Sequence, residues 1–177
     1  MKQSLLYIHG LGSDRNSRKF LALKEYFKDQ FQYDFIEWKN DSNISQLLNE
    51  ANKKLRNIEN FIVVGDSTGA NFAYQLREMR NKDGQKAKLI LTSPLLNIED
   101  RIADFDFPKN IIQYLWRIEN PRNALIIAAP NDEILNQRNL TENNERGLKL
   151  IKVEDNHRLE NFEHYLPHIE KYINSKI

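Results

Sequence analysis

The stretch Phe61-Ile62-Val63-Val64-Gly65-Asp66-Ser67-Thr68-Gly69 decides the fold of this 177-residue chain. Four apolar residues run directly into Gly-x-Ser-x-Gly, and a sequence with helical spacing follows from Ala70. A serine is presented at a sharp strand-to-helix turn only where its neighbours carry no Cβ that would clash, and Gly65 and Gly69 meet that need. The stretch therefore predicts a nucleophilic Ser67 beside a helix N-terminus whose free N–H groups point at the site.

Strand-length apolar runs alternate with helical segments along the chain. Strands are predicted at 5–8, 33–38, 61–64, 89–91, 125–129 and 148–153, and helices at 19–28, 44–58, 70–80 and 163–173. This alternation favours a parallel sheet with helices on both faces. We predict a single domain over 1–177, an α/β protein folded as a three-layer αβα sandwich with a reduced, mostly parallel sheet of about six strands. The serine turn makes it an α/β-hydrolase fold. The second helix offers Asp41 or Ser42 as its N-cap.

The alternation of strands and helices breaks between 92 and 122. This segment is rich in aliphatic and aromatic residues and is divided by Pro94, Pro108 and Pro121. One interpretation is a crossover helix with irregular flanks that covers one face of the sheet. The other is a small cap-like insertion over a substrate pocket. The pocket residues predicted on that second interpretation are His9, Leu95, Phe105, Phe107 and Trp116.

A catalytic serine needs a base to take its proton and an acid to orient that base. In this fold the acid and then the histidine follow the serine along the chain, at the carboxyl ends of later strands. Asp132 follows the apolar run 125–129 and is the predicted acid, with Glu133 as the alternative. His157 follows the last predicted strand, 148–153, and is the predicted base.

The oxyanion hole needs two N–H donors aimed at the substrate carbonyl oxygen. One is predicted to be the backbone N–H of Thr68, directly after the nucleophile. The second comes from the loop after the first strand, His9-Gly10-Leu11-Gly12-Ser13. We assign it to the backbone N–H of Leu11, with Gly10 as the alternative. One such donor lowers the reaction barrier by about 3–4 kcal/mol.

Composition excludes several classes of function. The net charge is +1, so no global electrostatic attraction to nucleic acid or to an anionic membrane is expected. The chain has no cysteine, which excludes disulfides, thiolate metal sites and a catalytic thiol. No apolar run approaches the length of a membrane span, and the N-terminal apolar stretch is too short for a signal-peptide core. We therefore expect a cytoplasmic protein, and the sequence carries no signal of its oligomeric state.

Four stretches resemble the small single-domain α/β-hydrolases of the YqiA-like esterase family, UPF0227. They are YIHGLGS at 7–13, GDSTG at 65–69, NDEIL at 131–135 and DNHRLENF at 155–162. The resemblance implies hydrolysis of short acyl esters or thioesters by Ser67, Asp132 and His157, without a cofactor. Members usually carry a second glycine after the serine turn and a small residue or histidine before the serine. Here those places hold Ala70 and Asp66, and Asp66 puts a carboxylate beside the nucleophile.

Three hypotheses of function follow. The first is a carboxylesterase or thioesterase with an acyl-enzyme intermediate, and an amidase or peptidase would use the same three residues. The second is a catalytically weak or inactive binding protein of hydrolase fold, because Asp66 and the reduced sheet depart from the pattern. The third is a metallohydrolase using the histidines with Asp132 or Asp155, because the spacing of His157, His164 and His168 permits two ligands on one helix face. It leaves both glycine loops unexplained, so we expect no metal and no cofactor.

Overall fold

The computed structural model describes residues 3–59 and 61–175. Its strands are β1 (Gln3–Ile8), β2 (Phe31–Ile36), β3 (Phe61–Asp66), β4 (Ala87–Thr92), β5 (Ala124–Ala128) and β6 (Leu148–Lys152). They form one sheet in the order β2-β1-β3-β4-β5-β6, and every neighbouring pair is parallel. All six predicted strands are present, with ends shifted by a few residues. Trp38, predicted to end the second strand, lies beyond β2.

Helices cover both faces of this sheet. They are α1 (Arg18–Phe27), α2 (Ile44–Lys54), α3 (Thr68–Lys82), α4 (Lys109–Ile112) and α5 (Leu166–Asn174). The N-cap prediction for α2 was wrong by one residue, because Asn43 Oδ1 accepts the backbone N–H of Gln46 at 3.0 Å. A cap must lie directly before the first helical turn, and Asp41 and Ser42 lie too early in the chain.

Two hydrophobic clusters separate the layers of the sandwich. Leu6 and Ile8 of β1 belong to the cluster under α2 and α3, whereas Leu5 and Tyr7 belong to the cluster under α1 and α5. This alternation follows from strand geometry, in which successive side chains point to opposite faces. Because both faces are covered, the central strands β1, β3, β4 and β5 are buried along almost their whole length. The predicted αβα sandwich is therefore confirmed.

The strand order places the serine turn at a switch point of the sheet. From β1 the chain passes outward to β2 and then returns to the other side of β1 as β3. The loops after β1 and β3 consequently meet at the carboxyl edge, where α/β sheets leave a crevice for ligands.

The segment 92–122 has features of both interpretations. Leu96, Ile111 and Ile118 are buried in the cluster on the α3 side of the sheet, as a crossover segment requires. Phe105, however, is 51% exposed and stands away from that cluster. The separation of a cap from the main domain remains a prediction. Among residues 3–59 and 61–175, no helix is long and apolar enough to cross a membrane.

Candidate active site

Ser67 occupies the sharp turn between β3 and α3. Its backbone dihedrals, φ 51° and ψ −118°, lie in a region that non-glycine residues rarely adopt. Hydrogen bonds to the end of β4 and to the loop after it hold this strained turn. The Ser67 N–H donates to the Thr92 carbonyl at 2.9 Å, and the Ser67 carbonyl accepts from Leu95 N at 3.0 Å. Such strain persists only where the surroundings impose it, and it concentrates at functional sites.

Close packing around the turn accounts for the glycine at position 69. A Cβ on Gly69 would lie 2.3 Å from the carbonyl oxygens of both Ile8 and His9, at the end of β1. The approach of α3 to β1 also brings the loop after β1 against the turn after β3. A Cβ on Gly10 would lie 3.0 Å from Ser67 Cβ. The loop after β1 therefore lies directly against Ser67, as its predicted role in an oxyanion hole requires.

Ser67, His157 and Asp132 form a continuous chain of hydrogen bonds. His157 Nε2 lies 3.0 Å from Ser67 Oγ, and His157 Nδ1 lies 2.7 Å from Asp132 Oδ2. A carboxylate only accepts, so the Nδ1 proton is donated to Asp132 and Nε2 is left to accept from the serine hydroxyl. In this tautomer His157 can remove the Ser67 proton.

Both oxygens of the Asp132 carboxylate accept hydrogen bonds. Its side chain has no exposed surface, and its second oxygen, Oδ1, accepts the backbone N–H groups of Ile134 and Leu135 at 2.8 Å each. These bonds offset the loss of water around a buried charge. Glu133, the alternative acid, instead accepts the backbone N–H of His157 at 3.0 Å. The Glu133 carboxylate therefore contacts the backbone of His157, whereas Asp132 contacts its imidazole ring.

The loop that carries His157 is held by the carboxylate of Asp155, which the sequence suggested only as a possible metal ligand. Asp155 accepts the backbone N–H groups of Glu160 at 2.9 Å and Asn161 at 3.0 Å, and the hydroxyl of Tyr165 at 2.9 Å. Burial alone would raise the pKa of Asp155, but these donors hold that pKa below its usual value. Its sequence signal was its place two residues before the histidine. We interpret Asp155 as the residue that orders this loop.

The two N–H groups predicted for the oxyanion hole lie beside the nucleophile. Leu11 and Thr68 line the same pocket as Ser67 and His157. Within the described parts of the chain, neither backbone N–H donates to a protein acceptor. Both donors are thus available to a substrate, and their role as an oxyanion hole remains a proposal.

A pocket of about 460 Å³ opens from Ser67 toward the 92–122 segment. Arg101, Glu133 and Arg158 contribute its charged groups. Its apolar wall includes three of the five predicted pocket residues and three further ones; the set is Leu95, Phe105, Phe107, Leu11, Ile134 and Leu135. The loop after β1, the 92–122 segment and the loop after β5 thus each supply part of one apolar surface.

The other two predicted pocket residues, His9 and Trp116, lie elsewhere. The His9 ring is buried between the rings of Phe35 and Trp38, at centroid distances of 5.4 and 5.2 Å. Its Nε2 accepts the backbone N–H of Trp38 at 3.1 Å, and burial lowers its pKa. Trp116 lies outside the lining, and its backbone N–H donates to Asn71 at 2.9 Å. Neither residue lines the pocket beside Ser67, so the pocket prediction for His9 and Trp116 is corrected.

The carboxylate of Asp66 is paired in a way that the sequence analysis missed. Lys19 Nζ lies 2.5 Å from Asp66 Oδ1, and the Thr92 hydroxyl donates to the same oxygen at 2.7 Å. The only sequence signal was a lysine next to Phe20, on the face by which α1 packs on the sheet. Lysine is seldom buried unless it is paired, and Asp66 is the partner of the buried Lys19.

The histidines of the metallohydrolase hypothesis do not converge. Both ring nitrogens of His157 are engaged by Ser67 and Asp132, and His164 and His168 are exposed. Across residues 3–59 and 61–175, no three His, Cys, Asp or Glu side chains are grouped as metal ligands.

Comparison with known proteins supports the family resemblance. The family model described as Uncharacterised protein family (UPF0227) matches residues 103–174, a range that includes Asp132 and His157. The resemblance to this family is thus confirmed over that part of the chain. No curated protein matches the sequence significantly.

Solved structures of low sequence identity share the fold. Alpha/beta hydrolase domain-containing protein 10 from mouse is 16% identical with a TM-score of 0.72, over 97% of this chain and 89% of that one. A structure described under LipS and LipT, two metagenome-derived lipolytic enzymes, is 16% identical with a TM-score of 0.68, over 97% and 93%. The RedJ thioesterase of the prodiginine biosynthetic pathway in Streptomyces coelicolor is 12% identical with a TM-score of 0.68, over 96% and 86%. These likenesses establish the α/β-hydrolase fold.

Proposed function

We propose that this protein is a serine hydrolase that cleaves short acyl esters or thioesters. The observation that carries the proposal is the hydrogen-bonded chain from Asp132 through His157 to Ser67, at distances of 2.7 and 3.0 Å. These distances fall within the reach that proton transfer requires. The strained backbone of Ser67 and the two available N–H groups beside it support the same chemistry.

The reaction follows from these positions. Ser67 Oγ attacks the acyl carbonyl carbon while His157 Nε2 takes the hydroxyl proton, and Asp132 stabilises the imidazolium that forms. The carbonyl oxygen acquires negative charge, which the N–H groups of Leu11 and Thr68 are placed to stabilise. The intermediate expels the alcohol or thiol, which receives its proton from His157. Water, activated by the same histidine, then releases the acid from the acyl-enzyme.

The pocket supports an acyl substrate. Its volume of about 460 Å³ and its wall of Phe105, Phe107 and aliphatic side chains suit a short apolar chain. The names of two fold neighbours, a thioesterase and lipolytic enzymes, support the same two substrate classes. A cytoplasmic location belongs to the same proposal, and the absence of cysteine from the chain is in keeping with it.

The first experiment treats the purified protein with a fluorophosphonate and locates the adduct by mass spectrometry. We expect one adduct on Ser67, no adduct in S67A, and wild-type labelling in S45A, which alters an exposed serine on α2. Labelled wild-type protein and unlabelled S67A should both fail to turn over p-nitrophenyl acetate and butyrate. Rates measured on thioesters of the same acyl groups then show whether the enzyme prefers an oxygen or a sulfur leaving group. A folded protein without an adduct would contradict the proposal and favour the binding-protein hypothesis. Full turnover by S67A would contradict it too, because another group would then carry the reaction.

A further inference from the structure

The carboxylate before the nucleophile borders the reacting centre. Asp66 lines a second, more polar pocket of about 560 Å³ together with Gly10, Ser67 and His157. Its Oδ2 lies 3.6 Å from the position that a Cβ on Gly10 would occupy. An unpaired negative charge here would lie near the carbonyl oxygen that becomes an oxyanion. Like charges repel strongly where water is excluded, so this carboxylate alone would oppose the reaction.

Lys19 supplies the opposite charge. Its side chain is 6% exposed and that of Asp66 is 16% exposed, so solvent and salt screen the pair weakly. Among residues 3–59 and 61–175, it is the one cation that forms an ion pair with Asp66. The neighbouring Arg18 donates instead to the carbonyls of Arg158 and Leu159, at 3.0 and 2.6 Å. Arg18 and Arg158 also line this pocket, but the charge of Asp66 is paired directly with Lys19.

The buried Tyr7 on β1 responds to the charge of Asp66. Burial raises the pKa of Tyr7, and the nearby negative charge of Asp66 raises it further. The field of this carboxylate thus extends to the strand that ends at the oxyanion loop.

We propose that Lys19 is a positioning residue for hydrolysis, whose ammonium cancels the Asp66 charge beside the developing oxyanion. The inference rests on the proposed serine hydrolase function. It also gives a reason for an aspartate next to the nucleophile. Asp66 binds the Thr92 hydroxyl, and Thr92 accepts the Ser67 N–H through its carbonyl, so this carboxylate ties the serine turn to β4. Lys19 makes that tie compatible with catalysis.

A purely structural role makes different predictions. A buried ion pair is often replaceable by uncharged groups without loss of stability, whereas removal of one partner leaves an uncompensated charge. If the pair only supported the fold, loss of either partner would lower activity in proportion to lost folded protein. If its charge matters, the two single substitutions have opposite effects on kcat.

The test compares four variants, K19M, D66N, K19M/D66N and K19R, with the wild-type protein. Steady-state kinetics on p-nitrophenyl butyrate separates kcat from KM, and the rate of fluorophosphonate labelling reports the same oxyanion independently of the natural substrate. Thermal unfolding of each variant measures the folded fraction. Wild-type labelling at Ser67 is measured first, because its absence would contradict the proposed function itself rather than the role of Lys19.

We expect K19M to lower kcat about tenfold to a hundredfold with KM nearly unchanged. D66N should raise kcat about threefold, the double variant should return to within about threefold of wild type, and K19R should keep most of the activity, since it keeps the charge. The proposal is overturned if K19M keeps its kcat, if the double variant loses as much as K19M, or if the loss appears in KM. If K19M does not fold, D66N still decides the question. The proposal expects its kcat to rise, whereas a purely structural role of the ion pair expects its activity to fall.

Discussion

Asp132 and His157 follow two different strands, yet their side chains meet at 2.7 Å with the carboxylate fully buried. The strands they follow, β5 and β6, are parallel neighbours, so the loops after both emerge at the same edge of the sheet. The Asp132 carboxylate has three N–H donors and no exposed surface. This arrangement leaves His157 one tautomer and one orientation, and catalysis should depend on both.

D132N is expected to lower kcat by about 10³ to 10⁴. The amide occupies the same space, but it can offer a donor to His157 Nδ1, which favours the tautomer that carries its proton on Nε2 and cannot accept from Ser67. Kinetics on p-nitrophenyl butyrate measures the loss. D41N, at an exposed position of the loop before α2, is the matched control and should keep full activity. A loss below about tenfold would show that Asp132 does not set the tautomer.

Asp155 should make the stability of the His157 loop depend on acid pH. Its pKa is lowered in the folded protein, so its contribution to the free energy of unfolding is present above about 3.9, the usual pKa of an aspartate. That contribution is lost as the pH falls through the lowered pKa of the folded state. D155N is expected to lower Tm by about 2–8 °C at neutral pH. The difference should shrink as the pH falls below about 3.9 and through the lowered pKa of the folded state.

Calorimetry at several pH values compares D155N with wild type and with E154Q. Glu154 is the exposed neighbouring carboxylate and serves as the control. A Tm difference that stays constant across the acid range would mean that Asp155 acts through its shape and not through its charge. D155N should also lower kcat, because the loop that it orders carries His157.

Gly69 should be far less tolerant of alanine than Gly84. An added Cβ at position 69 meets two carbonyl oxygens at 2.3 Å, so G69A is expected to lose about 3 kcal/mol or more of the free energy of unfolding. Gly84 has φ +72° but open space around it, so G84A loses only the cost of the left-handed backbone, about 1–2 kcal/mol. Urea denaturation measures both values. Equal losses would contradict the close approach of α3 to β1.

Phe105 should affect the choice of acyl chain rather than folding. It is 51% exposed and lines the pocket beside Ser67, so F105A removes apolar wall without disturbing the core. The ratio of kcat/KM for p-nitrophenyl butyrate over acetate is expected to fall about threefold to tenfold. I112A alters another exposed apolar residue of the same segment, 40% exposed and outside the lining, and should leave the ratio unchanged. An unchanged ratio in F105A would mean that the acyl chain lies elsewhere.

The order of strands and helices could be predicted because their apolar periods are local. The serine turn was recognisable for the same reason, since Gly65 and Gly69 lie within two residues of Ser67. Asp132 and His157 could be assigned by their chain order after predicted strands. The N-cap of α2 was missed by one residue, because several polar residues precede that helix and only the backbone geometry selects Asn43.

Directions of side chains, in contrast, were decided by the tertiary structure. His9 adjoins the oxyanion loop in sequence, but its ring points between Phe35 and Trp38, residues that the fold brings from β2 and the loop after it. Lys19 and Asp66 are 47 positions apart, and nothing in the spacing relates them. By itself the sequence determined which residue types follow each strand, since those patterns are local. Which side chains meet, and which charges cancel, depends on the packing of distant elements across the sheet, and only the folded chain has that packing.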